Sequence, residues 1–285
     1  MSKLQTGLYL YSVRKAMVHD YMGTIEKVAE LGYKNIELSF ESPHLARFDV
    51  PCSAAELRTA TEILGLTIVS SHVVYHSYLN WDEVIAYLKE AGCQGITIPM
   101  YLYNLSLTRS RSEEAYYFSD ILNKLGQKCA DNGLTFHYHN FYNEFEQYDG
   151  KYIFDILLEN TDPNLVNFEF DIYWATRGGV DPVQWMDKLD SRIKIIQVQD
   201  LDKDAKNLNL VEVDGSFDNA FYPKIHTHHG DYTEIGNGLI DFERVFAKAK
   251  TMESLEYVMV AQTECGSKSE FQSAAENLAT LKRML

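Results

Sequence analysis

Residues 193–200 read IKIIQVQD, and the reading of the whole chain turns on this stretch. Ile193, Ile195 and Ile196 mark a strand inside a core. Gln197, Gln199 and Asp200 then end the apolar run, with no Gly or Pro to signal a simple turn. A buried strand that ends in two amides and an acid needs a polar destination.

Outward from this stretch, one unit recurs: a short apolar strand, a few turn residues, then an amphipathic helix. Strand patterns fall at 7–12 (GLYLYS), 35–39 (NIELS), 67–72 (TIVSSH), 95–99 (GITIP), 134–139 (LTFHYH), 166–171 (VNFEFD), 193–199 (IKIIQVQ) and 257–262 (YVMVAQ). Between the early ones lie helical patterns. TIEKVAELG (24–32) places Ile25, Val28 and Ala29 on one face, and SAAELRTATEILG (53–65) starts with Ser at the N-cap. NWDEVIAYLKEAG (80–92) repeats the form, and all three end in Gly, a favoured C-cap residue. No Pro-, Ser- or Gly-rich linker interrupts the series, so residues 1–285 read as one domain. Eight strands alternating with helices predict an α/β fold, a single (β/α)8 TIM barrel. The competing doubly wound sheet usually carries a Gly-rich phosphate loop after its first strand, and YSVRKAMVHD (11–20) has none.

Charge narrows the partners. The 26 basic and 41 acidic residues leave a net charge of −15, with no basic block. Such a field repels polyanions, so no nucleic-acid partner is expected. No membrane partner is expected either: apolar runs such as YVMVA (257–261) fall far short of the ~20 residues of a spanning helix. The N-terminus lacks the long apolar stretch of a signal peptide, and Cys52, Cys93, Cys129 and Cys265 lie far apart with no CxxC pair. The expectation is a cytoplasmic protein with reduced thiols. The sequence leaves its oligomeric state open.

In a barrel, alternate side chains face the helices and the lumen. Ile36, Leu38, Phe136, Tyr138, Phe168, Phe170, Ile196, Val198, Val258 and Val260 form the outward set. The residues between them face inward: Glu37, His137, His139, Glu169, Asp171, Gln197, Gln199, Ala261 and Thr263, with Ser70 and His72 sharing one face of the third strand. Most are polar and sit at strand C-terminal ends, where barrels of this kind carry their active sites. IIQVQD therefore ends polar because it lines a pocket.

Several stretches carry a family likeness: LYLYSVR (8–14), GTIEKVAELGYKNIEL (23–38), VSSHV (69–73), FHYHNFYNEF (136–145), LLENTDPNLVNFEFDIYWATRGGVDP (157–182) and IGNGLIDFERVF (235–246). In order and over nearly the whole chain, they resemble the sugar phosphate isomerase/epimerase group of xylose isomerase-like TIM barrels, related to inosose dehydratases and sugar epimerases. The resemblance implies a divalent metal held by two Glu, one Asp and one His from the last four strands. It also implies carboxylates that shuttle a proton beside a carbonyl, a weakly acidic C–H that needs both a placed base and a Lewis acid. Carried over by position, Asp171 is the sixth-strand metal ligand and Glu144 the fifth-strand carboxylate, ligand and catalytic group together. His139 stands where other branches carry the ligand Glu and is a second catalytic candidate.

At the last two strands the pattern breaks. Gln197 occupies the place of the family's His ligand and Ala261 that of its Glu. An amide oxygen is a weak neutral ligand and alanine is none, so Mg²⁺ or Mn²⁺ is expected to bind weakly or not at all. Glu264, three residues past Ala261, is expected to face away.

Other candidates have bland readings beside the functional ones. Glu37 and His72 either hold substrate hydroxyls, with Gln197, or hydrogen-bond each other. Glu169 reads as a structural partner of Arg or His. Arg177 in TRGG (176–179) either takes a phosphate or sits in a turn. His226 and His228 in HTHHG (226–230) form a metal clamp or a surface loop. Tyr101, Tyr103, Tyr116 and Tyr117 are core or a sugar platform. The function expected is a sugar or sugar-phosphate isomerase, epimerase or related lyase with a divergent metal site, acting on a small carbohydrate. The alternative is a non-catalytic relative that binds a carbohydrate or a partner. The DNA-repair endonuclease branch of the superfamily conflicts with the −15 charge.

Overall fold

The computed structural model describes residues 4–40, 51–99, 111–205 and 231–285. Eight parallel strands close a barrel: β1 Gln5–Tyr9, β2 Asn35–Phe40, β3 Thr67–Val73, β4 Gly95–Pro99, β5 Thr135–His139, β6 Asn167–Asp171, β7 Ile193–Val198 and β8 Tyr257–Val260. Each pairs with its neighbours in chain order, and β8 pairs with β1. The single (β/α)8 barrel read from the alternation is the fold observed.

The helices form where caps and apolar spacing say they should. α1 (Tyr21–Glu30) buries Ile25 and Val28. α2 (Ala54–Leu64) starts in a capping box, with Ser53 and Glu56 each accepting from the other's backbone N–H, and ends at Gly65 with φ 63°, a left-handed turn that costs glycine little. α3 (Trp81–Glu90) starts at Asn80, whose side chain accepts from Asp82 N. α4 (Arg111–Asp131), α5 (Ile153–Asn160), α6 (Ile172–Arg177), α7 (Pro182–Leu189), α8 (Phe242–Ala249) and α9 (Glu270–Met284) complete the described ring. No helix among the described residues is long and apolar enough to cross a membrane.

Two separate apolar clusters hold the barrel. The large one lies between strands and helices and contains the outward set, including Ile36, Phe136, Phe168, Ile196 and Val258. The small one, Val69, Ile195 and Met259, lies apart from it, with Tyr257 packed alongside. Gly7 makes room for this second cluster. A Cβ there would meet Met259 Sδ at 2.4 Å and the Asn35 carbonyl oxygen at 2.9 Å.

Two register slips set which residues reach the lumen. Between Ile36↔Ile68 and Glu37↔Ser70 the pairing leaves Val69 as an extra residue. Between Phe168↔Ile193 and Glu169↔Ile195 it leaves Lys194, which brings Gln197 opposite Asp171. Bulges of this kind re-aim side chains beside functional sites.

Candidate functional site

Glu37, Ser70, His72, Thr97, His137, His139, Glu169, Asp171 and Gln197 are all buried in the barrel. Buried polar groups must find partners, and these find one another. They form two groups.

The first gathers around Glu169, on β6 two residues before the strand end. Its Oε1 lies 2.9 Å from His72 Nε2 and accepts from the Gln197 amide, while Oε2 accepts from Thr97 Oγ1 at 2.8 Å. Ser70 Oγ bonds Thr97 Oγ1 at 2.6 Å. Gln197 Nε2 also lies 3.4 Å from Glu37 Oε2 and 3.2 Å from His72 Nε2. The Tyr9 ring stacks on His72 with centroids 4.1 Å apart, and its hydroxyl donates to Ser39 Oγ at 3.3 Å. Glu37, His72 and Glu169 offer ligand atoms that all lie within 4.8 Å of one another.

The electrostatics of this group follow from its dryness. Burial and the negative charge of Glu169 push the Glu37 carboxyl well above the ordinary range. Burial acts on Glu169 in the same direction, but His72 and the donated hydrogen bonds outweigh it and hold that carboxyl down at about 2. Two carboxyls that share one dry site shift apart in this way. His137, on the neighbouring strand, is pushed down to about 4 by burial, against the pull of Glu169.

The second group lies at the ends of β5 and β6. His139 Nε2 faces Asp171 Oδ2 at 3.4 Å, and its ring lies 5.2 Å from that of His72. Asp171 Oδ1 accepts from Trp174 N at 2.7 Å, capping α6. Asn140 clasps the Asp171 backbone, accepting from its N–H at 3.0 Å. Burial raises the Asp171 carboxyl and His139 opposes the rise. His139 Nδ1 has no hydrogen-bond partner among the described residues. Beside it, Phe141 meets the His139 ring edge-on at 5.2 Å and stacks on Trp174 at 5.0 Å.

Other candidates from the sequence are held by partners of their own. Glu144 accepts from the Tyr138 hydroxyl through Oε1 and from Phe141 N at 2.8 Å through Oε2. It is therefore tied to an outward-facing tyrosine, and burial raises its carboxyl to about 7. Glu144 and Asp171 belong to no metal-type cluster among the described residues. Arg177 is buried, and its Nη1 donates to the Tyr173 hydroxyl at 2.9 Å and to Asp231 at 3.0 Å. An internal carboxylate thus meets the guanidinium, in place of the phosphate that one of its two readings gave it. Glu264 is held by Arg14 at 2.6 Å and Lys15 at 3.0 Å. Tyr116 and Tyr117 are exposed on α4. Tyr101, Tyr103, His226 and His228 lie outside the described residues.

The polar end of IIQVQD divides three ways. Gln197 joins the Glu169 group, Gln199 Oε1 accepts from Thr263 N at 2.9 Å, and Asp200 accepts from the backbone N–H groups of Gly236, Gly238 and Ile240 at 2.9–3.1 Å. Only the first of the three reaches the Glu169 group. The others fix loops. Sequence reasoning gave Glu169 a structural role, and did not single out Tyr9 or Thr97. A polar Thr97 between outward Ile96 and Ile98 was the available signal.

A closed parallel barrel with its ionisable groups gathered in the lumen defines the class, and the chain belongs to the xylose isomerase-like TIM barrel family, whose model matches residues 25–284. It is 30% identical over 242 residues to an inosose dehydratase of Clostridium beijerinckii, covering 78% of this chain and 75% of that one. It is 24% identical over 253 residues to an inosose dehydratase of Geobacillus kaustophilus, covering 83% and 78%. In fold it is similar to a sugar phosphate isomerase/epimerase of Parabacteroides distasonis, with TM-score 0.75, 22% identity, and 99% and 94% of the two chains covered.

Proposed function

We propose that this protein is an enzyme that moves a proton at the carbon beside a carbonyl of a small cyclic polyol or sugar, in an isomerisation, epimerisation or dehydration. His139 is the proton carrier and Asp171 orients it. The observation that carries this reading is the His139–Asp171 pair: one ring nitrogen faces a carboxylate at 3.4 Å while the other has no partner among the described residues. That is the geometry of an oriented general base. Glu37, His72 and Gln197 form the polar floor that meets the substrate's oxygens, and Phe141 with Trp174 supplies an apolar wall for its C–H face. The relatives named above are enzymes with dehydratase and isomerase/epimerase names, which agrees with the reaction class.

The family's metal does not fit its usual place here. Both oxygens of Asp171 face protein groups, both oxygens of Glu144 are bound by Tyr138 and Phe141, and Gln197 and Ala261 complete the set. No step is therefore assigned to an ion at that position.

The test is turnover of a panel of inososes and ketohexoses, free and phosphorylated, followed by NMR. Asp171→Asn should lower the rate by about 10²-fold or more. Its melting temperature should hardly move, because Asn caps a helix as well as Asp. No turnover of any panel member, or loss of rate only together with loss of fold, overturns the reading.

A further inference from the structure

We propose that Glu37, His72 and Glu169 form a binding site for a divalent transition cation of the Mn²⁺ or Zn²⁺ kind, on β2, β3 and β6 rather than on the last four strands. The three side chains are fully buried, and their ligand atoms lie within 4.8 Å of one another. Two carboxylates and an imidazole give a mixed O/N set whose two negative charges match a divalent ion. Donors that share one ion at about 2.0–2.2 Å lie about 3–4.4 Å from each other. His72 Nε2 is 2.9 Å from Glu169 Oε1 and 4.0 Å from Glu37 Oε1, so small side-chain shifts suffice.

The second, independent observation is Glu37 Oε1. It is buried, lies on the His72 side of the cluster, and has no hydrogen-bond partner among the described residues. A carboxylate oxygen left so is costly, and an ion between the three donors relieves it. The surroundings hold the donors in place. Thr97 bonds the far oxygen of Glu169, and Ser70 bonds Thr97. Such supporting bonds orient metal ligands. Gln197 points its terminal amide at Glu37, His72 and Glu169 together. A half-turn of that amide exchanges its nitrogen for its oxygen and supplies a fourth donor. The residue that removed the family's imidazole thus serves the deeper site.

Occupancy is read from metal content, so its failure is distinct from failure of the proton-transfer reading. Protein purified without chelator is assayed for metals, then stripped and titrated with Mn²⁺ by electron paramagnetic resonance and with Co²⁺ by visible absorption. The expected result is one ion per chain. Glu37→Gln keeps the shape, and its Oε1 has no hydrogen bond to lose. It should weaken binding at least about tenfold, the scale seen for losing even a supporting group. Asp171→Asn should leave affinity within about twofold. Failure of the stripped wild-type protein to take up Mn²⁺ or Co²⁺ overturns the proposal. So does wild-type affinity in Glu37→Gln, or loss of binding in Asp171→Asn.

Discussion

The two halves of the barrel lumen differ in kind. On β2, β3, β5 and β6 the inward positions carry Glu37, His72, His137, His139, Glu169 and Asp171; on β7 and β8 they carry Ile195, Gln197, Met259 and, past the strand end, Ala261. The first half holds ionisable groups, the second only neutral ones. The pairing is parallel throughout both halves, with one register slip between β2 and β3 and one between β6 and β7. Chemistry in such a barrel is therefore decided by inward side chains, and it can shift from one side of the lumen to the other without disturbing the outward core.

The sharpest contrast is between Glu169 and Gln197, which bond each other from opposite halves. Glu169→Ala removes the acceptor shared by His72, Thr97 and Gln197 and should cost about 3–5 kcal/mol in urea unfolding, as expected for breaking a buried charged network. Gln197→Ala deletes a neutral donor and should cost less, about 1–3 kcal/mol. Equal costs would erase the distinction between the halves.

A third effect is smaller and depends on pH. His137 is held at about 4 in the folded protein against an ordinary value of 6.5, so the unfolded chain binds more protons between those values. Stability should be complete above pH ~6.5 and decline as pH falls toward ~4, with a loss of about 1 kcal/mol by pH ~5.5. Glu144 titrates the opposite way, its folded carboxyl being raised to about 7, so the difference between wild type and His137→Gln is the quantity to read. That difference should shrink on acidification. A constant difference across this range would show that His137 is not buried neutral.

The fold was legible because alternation is a local signal. Outward Ile36, Phe136, Phe168 and Ile196 are apolar in the sequence and lie in the outer core in space. The inward residues were legible as a set, since period two requires no tertiary information. Which of them touch was not. Glu169 meets His72 across 97 positions of chain, and although Lys194 breaks the alternation of IKIIQVQD, nothing in that stretch says that Gln197 comes opposite Asp171. Glu144 shows the converse difficulty. It follows the strand inside a 3-10 turn (Asn143–Phe145), where period two no longer applies, and it turns back to Tyr138 rather than to the lumen. Arg177 matched a phosphate-type turn, but its partner Asp231 is 54 residues away and not foreseeable from TRGG.

The central claim is that proton transfer belongs to the β5–β6 side of the lumen. Exchange of the hydrogen beside the carbonyl of an inosose with D₂O, followed by NMR, tests it most directly, because exchange needs the base but not completion of the reaction. The account predicts measurable exchange in the wild-type protein, a loss of about 10²-fold or more in His139→Ala, and retention of at least about a tenth of the rate in Gln197→Ala. Exchange that persists in His139→Ala but disappears in Gln197→Ala would contradict it.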